Sequence, residues 1–176
     1  MSLRNWVSGE KTSGFTLIEL SVVILLAGLL ITLTIPRFQT LTISDHLKSS
    51  TRKLVILIDN LRNEAVRNHR DYKLIFDLSE NSYWVENSEM TDLDRLKAHE
   101  TRSKFPEDIK ILDILFIGGE KQTSGEANVR FYRKGYIQPS LIHIADDHKR
   151  EFTISLSPFL GEVKVMEEYV DSNVRL

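Results

Sequence analysis

The stretch from Phe15 to Ile35, FTLIELSVVILLAGLLITLTI, constrains this chain more than any other part of it. It runs for 21 residues with a single charge, Glu19. As a helix rising about 1.5 Å per residue, such a segment spans a hydrocarbon core of roughly 30 Å. Arg4 and Lys11 lie upstream, opposed only by Glu10. The positive-inside bias therefore places the N-terminus in the cytoplasm and everything after Pro36 on the far side of the membrane. An ordinary secretory signal has a shorter apolar core of about 7–15 residues with a small-x-small site after it. Here Pro36-Arg37-Phe38 follows instead. A plain single-span anchor fits the length but leaves Glu19 unexplained, since a carboxylate at mid-bilayer costs on the order of 2.5–3.5 kcal/mol and normally signals a partner.

A third reading starts from Ser13-Gly14-Phe15-Thr16-Leu17-Ile18-Glu19-Leu20. This octapeptide resembles the class III signal of type IV pilins and pseudopilins, with Gly14, Phe15 and Glu19 at the three diagnostic positions. The resemblance implies cleavage after Gly14 by a membrane-embedded prepilin peptidase and N-methylation of Phe15. It also implies pairing of Glu19 with the N-terminal amine of a neighbouring subunit during assembly. Chemistry supports those residue types: cleavage would create a cationic amine, and an amine–carboxylate pair satisfies two charges that are costly alone in apolar surroundings. Glu19 snorkelling to the membrane interface is the plainer alternative. Gly28 and Pro36 fall where the family has its helix-weakening residues. Pro36 cannot donate to the carbonyl of Thr32, so a kink or loosening is expected there.

Beyond Pro36 the uniformly apolar pattern becomes one-sided. Leu47, Leu54, Ile58, Leu61 and Ala65 recur at helical spacing with Ser, Lys, Arg and Asn between them. One long helix to about Asn68 is predicted. After it the period becomes two. Strands are predicted over 72–78, 82–86, 109–117, 128–133, 136–144, 151–157 and 161–166, the first pair joined by a turn at Ser79-Glu80-Asn81. Residues 89–104 are polar and read as a loop, with a short helical turn around Leu93 and Leu96. The fold class that follows is α+β: a long N-terminal spine helix, its first half transmembrane, packed on an antiparallel β domain of two sheets. The divisions are a leader at 1–14, a membrane segment at 15–35, an amphipathic periplasmic helix at 36–68 and a globular β domain at 69–176.

Weaker signals bear on the subtype. Arg62-Asn63-Glu64-Ala65, a Phe131…Gly135 hairpin and the stretch from Leu156 to Val163 resemble the H-type minor pseudopilins of type II secretion and the FimT/FimU-like minor pilins. That resemblance implies a structural subunit at or near the tip of a pseudopilus supporting export of folded proteins. Its partners would be the peptidase, other major and minor pseudopilins, the inner membrane and, as candidates, secreted substrates. The alternative is a minor type IV pilin serving pilus assembly, DNA uptake, adhesion or motility.

No enzyme is expected. There is no cysteine among the 176 residues, which excludes thiolate chemistry, and no nucleophile elbow, P-loop or dinucleotide fingerprint. His143-Ile144-Ala145-Asp146-Asp147-His148 holds metal-ligand types but reads as a solvated turn. Glu89, Asp92 and Asp94 lack the spacing of a calcium loop, so no cofactor or metal is expected. Trp84 and Tyr83 read as strand packing. Arg62, Arg67, His69 and Arg70, with Arg130, Arg133 and Lys134, are the basic residues that would meet DNA. The net charge of −2 and an acidic C-terminal stretch argue against nucleic acid as a partner.

Overall fold

The computed structural model describes residues 16–158 and 163–171, and for 30–45 the backbone alone. The chain divides into two compact units after Thr42. Helix α1 (Leu17–Arg67) supplies the described part of the first unit and the opening element of the second.

In the second unit the predicted stripe is the buried one: Leu47, Leu54, Ile58, Leu61 and Ala65 are each at most 3% exposed. α1 ends where the chain turns left-handed at His69, φ 52°, with the Arg70 amide returning to the Ala65 carbonyl. Two antiparallel sheets follow. The first contains β1 (Tyr72–Asp77), β2 (Ser82–Asn87), β3 (Ser103–Lys104) and β6 (Glu126–Phe131), in the order β3-β2-β1-β6. The second contains β4 (Ile109–Phe116), β5 (Lys121–Gln122), β7 (Ser140–Asp146), β8 (Glu151–Leu156) and β9 (Val163–Met166), in the order β5-β4-β7-β8-β9. Alternation decides the faces. Tyr72, Leu74 and Phe76 sit opposite Phe131, Val129 and Ala127. Ile142 and Ile144 from β7, with Phe152, Ile154 and Leu156 from β8, join them and the α1 stripe in one core.

The sheets are tied to each other by Asn81. Its side-chain nitrogen donates to the Ile109 carbonyl (2.6 Å) and its oxygen accepts from the Ile111 amide (3.1 Å). The turn holding it, predicted at residues 79–81, is closed by Asp77 Oδ1 accepting from the Ser79 and Glu80 amides.

Two segments differ from expectation. Residues 92–100 form a helix, α2 (Asp92–Glu100), not a loop with one turn. The cause is a reciprocal cap: the Asp94 amide donates to Thr91 Oγ1 while the Thr91 amide donates to the Asp94 carboxylate. The Phe131…Gly135 region is not a hairpin between two long strands. β6 pairs with β1, β7 starts only at Ser140 in the other sheet, and a single bridge, Phe131–Ile137, links the two sides of the turn. Gly135 makes that turn, at φ 90°. The chain uses it to cross from one sheet to the other. Of the Leu156–Val163 stretch, residues 159–162 lie outside the described residues.

Candidate functional site

The first candidate site is the N-terminal segment of α1. Thr16 starts it: its hydroxyl accepts from the Glu19 amide (3.3 Å) and its carbonyl from the Leu20 amide (3.1 Å). Thr16 and Glu19 stand at capping-box spacing, a helix-start signal that the sequence analysis passed over. Glu19 lies in the first turn, where a carboxylate also meets the positive end of the helix dipole. Every described side chain from Thr16 to Leu29 is exposed. Leu17 is 90% exposed and Ile18 73%, and Leu20, Val22, Val23, Ile24, Leu25, Leu26 and Leu29 are all more than half or about half exposed. A helix apolar on every side needs an apolar environment or partner helices. Around Gly28 there is open space, with nothing within 4 Å of an added Cβ, so packing within its own unit does not require a glycine there. Pro36 lies within the bounds of α1. Gly14 and Phe15, the expected cleavage and methylation positions, lie outside the described residues. Among the described residues no helix is long and apolar enough to cross a membrane; of the Phe15–Ile35 run, side chains are described only from Thr16 to Leu29.

The second candidate lies on the face of the five-stranded sheet turned away from the core, and sequence reasoning missed it. β4 changes register between Ile111 and Asp113. Ile109, Ile111 and Ile114 therefore all reach the core, while Asp113 turns to the opposite face directly across from His143. His143 is fully buried. Its Nδ1 lies 2.6 Å from Asp113 Oδ1 and its Nε2 3.0 Å from the Val170 carbonyl. The Tyr169 ring stacks on the imidazole at 4.0 Å, and its hydroxyl donates to Asp113 Oδ2 (3.2 Å). Lys121 reaches both the Tyr169 hydroxyl and Asp113 Oδ2. The Tyr169 oxygen first, and the Asp113 carboxylate after it, hold the Lys121 ammonium above its ordinary pKa. Next to them Thr153 Oγ1 donates to the Glu168 carbonyl (2.6 Å) and accepts from the Val170 amide (3.0 Å). His143 was expected in a solvated turn with Asp146, Asp147 and His148; the strand carries it inward instead.

The turn at Asp146 and Asp147 is present and is closed by Asp146. Asp146 accepts from the backbone amides of His148 and Arg150 (2.9 and 3.0 Å) and from the Arg150 guanidinium. Burial pushes its carboxyl up, but the Arg150 bonds, with that from His148, outweigh this and hold it below the usual carboxylate range. Among the described residues no group of three or more metal-ligating side chains converges. Asp94, a candidate calcium oxygen, serves the α2 cap, with its pKa lowered by the Thr91 hydroxyl and then the Thr91 amide. Glu89 pairs with Arg70 at 2.7 Å.

The basic residues considered for DNA are interleaved with acidic and carbonyl partners. Arg62 donates to the Gly135 carbonyl (3.1 Å) and Asp71 accepts from the Arg133 amide (2.8 Å). Arg130 lines a cleft of about 250 Å³ together with Asp71, Lys73, Glu86 and Arg95. Trp84 is packed, 6% exposed, edge-on to the His99 ring of α2 and bonded to Glu86, and Tyr83 packs at a tilt against the rings of Phe76 and Phe105.

Comparison with solved structures finds this fold in the minor pseudopilin EpsH of the type 2 secretion system of Vibrio cholerae. One EpsH structure matches with a TM-score of 0.51 at 15% identity, covering 72% of this chain and all of that chain. A second matches with a TM-score of 0.50 at 15% identity, covering 72% of this chain and 98% of the other. At that identity the likeness is one of fold. No family model matches the sequence, and no curated protein matches it.

Proposed function

We propose that the chain is a minor pseudopilin, a structural subunit at or near the tip of a type II secretion pseudopilus that supports export of folded proteins. One observation carries the reading. A pilin-like α+β unit with the fold of EpsH stands in the same chain as an apolar helical segment, Thr16 to Leu29, whose described side chains are all exposed and whose one carboxylate is Glu19. In this reading the peptidase cuts after Gly14, Phe15 becomes the methylated N-terminus, and the 15–35 segment holds the subunit in the inner membrane with its C-terminal domain in the periplasm. The segment then joins the filament core through side-by-side packing of apolar helices, and the β unit meets other pseudopilins. Gly28 and Pro36 give that helix its flexibility. The work is packing, so no group is assigned a catalytic role. The interleaved charges around Arg62, Arg70 and Arg130 favour this over a DNA-binding minor pilin, because a phosphate backbone asks for an unbroken basic strip.

The test is the distribution of exoenzyme activity between periplasm and medium in a strain lacking only this gene, beside its complemented control. Activity trapped in the periplasm is the expected result. Unchanged secretion, with loss of twitching or DNA uptake, would give the role to a type IV pilus instead.

A further inference from the structure

Residues 167–171 run across the outer face of the five-stranded sheet and cover His143. Their attachment combines the buried Val170 side chain with a set of polar contacts. Thr153 holds the Glu168 carbonyl and the Val170 amide, His143 holds the Val170 carbonyl, and Tyr169 stacks on the imidazole and bonds to Asp113 and Lys121. A backbone carbonyl only accepts, so Nε2 of His143 carries hydrogen. Nδ1 faces a carboxylate oxygen at 2.6 Å, and two bare acceptors do not sit that close, so a proton lies between them as well. The other oxygen of Asp113 receives a phenol and an ammonium, both donors. Both ring nitrogens and both carboxylate oxygens therefore have partners.

We propose that residues 167–171 are a proton-dependent latch, closed while His143 is doubly protonated and loosened when the proton between Nδ1 and Oδ1 leaves. A neutral ring has one N–H for two acceptors. It keeps Asp113, the charged acceptor, and turns a lone pair on the Val170 carbonyl. The groups that face the ring from each element are Asp113 on β4, Lys121 beyond it on β5, Thr153 on β8 and Tyr169 on the latch itself. Among them His143 is the titratable group that donates to the latch backbone, at the Val170 carbonyl. Closure takes up the proton, so linkage makes the closed form dominant at lower pH and the open form gain as pH rises. Opening uncovers Thr153 and His143, both fully buried in the closed form.

The test is a pH titration of the full chain in detergent micelles, following the ¹⁵N signals of the His143 ring and the exchange protection of the Val170 amide, corrected for intrinsic base catalysis. The expected result is two protonated ring nitrogens while Val170 is protected, then at least a tenfold loss of protection as the ring signal changes. H143Q, whose amide has a single donor nitrogen and so cannot reach Asp113 and the Val170 carbonyl from two sides, is expected to show the low protection at every pH. A ring with one bare nitrogen while Val170 is protected would overturn the proposal, as would protection unchanged through the ring's titration. The titration of the unsubstituted chain decides the matter even where H143Q does not fold.

Discussion

Glu19 and Asp113 are both carboxylates, and they differ in whether the chain supplies the counter-charge. Asp113 has His143, Lys121 and Tyr169 around it. Glu19 is exposed in the first turn of α1, and in the proposed function its counter-charge comes from another molecule. Glu19→Ala is expected to be cleaved after Gly14 as before but to enter the filament at least tenfold less, a loss of more than about 1.4 kcal/mol per contact. Normal incorporation, scored by cross-linking to neighbouring subunits, would contradict this. Asp146 provides a second prediction. Its carboxyl is held below the usual range, so its contribution to stability is complete above the unfolded pKa of about 3.9 and is lost as pH falls through the lower folded value. Asp146→Asn is expected to be less stable than the unsubstituted chain at neutral pH and to converge with it at low pH. Denaturant midpoints measured from neutral to acid pH check this, and a constant gap would contradict it. At this scale the sequence was a mixed guide. The Asp146 turn was legible from Asp-Asp-His-Lys. The His143–Asp113 pair was not, because nothing in the residue string announces the register change that sets Asp113 opposite His143.

At the scale of elements, amphipathic period carried most of the information. The spacing from Leu47 to Ala65 located the buried face of α1 residue by residue, since a helix with one apolar side has only one way to bury it. Ile58→Ala on that face is expected to lower the unfolding free energy by about 2–5 kcal/mol, read from chemical denaturation, while a change of under about 0.5 kcal/mol at exposed Arg67 serves as the contrast. The strands with alternation over five or more residues were legible too, within a few residues at their ends. The two-residue strands β3 and β5 were not, because no period can show in so short a run. α2 was hidden for a different reason. It buries none of its residues, so it has no apolar stripe to read, and its signature is the Thr91–Asp94 cap. Thr91→Ala should therefore cost about 1 kcal/mol; an unchanged denaturation midpoint would contradict the cap's role. Gly135 marks the element boundary that was misread. Its φ of 90° and the Val66 methyl 3.3 Å from where a Cβ would stand predict that Gly135→Ala destabilises by more than about 1 kcal/mol, again read by denaturation.

At the scale of the molecule, an α+β unit of two antiparallel sheets was legible from one helix followed by short alternating strands. The strand orders were not. They depend on β6 returning to β1 and on the chain crossing sheets at Gly135, which are long-range pairings with no local signal. The function rests on joining two parts of different legibility: a fold shared with a minor pseudopilin, and an N-terminal signal read from Gly14, Phe15 and Glu19 alone. The measurement that tests this join most directly is the intact mass and N-terminal sequence of the chain recovered from membranes. The account predicts a stable form beginning at Phe15, carrying one added methyl group. A stable membrane form that retains residues 1–14 would contradict it.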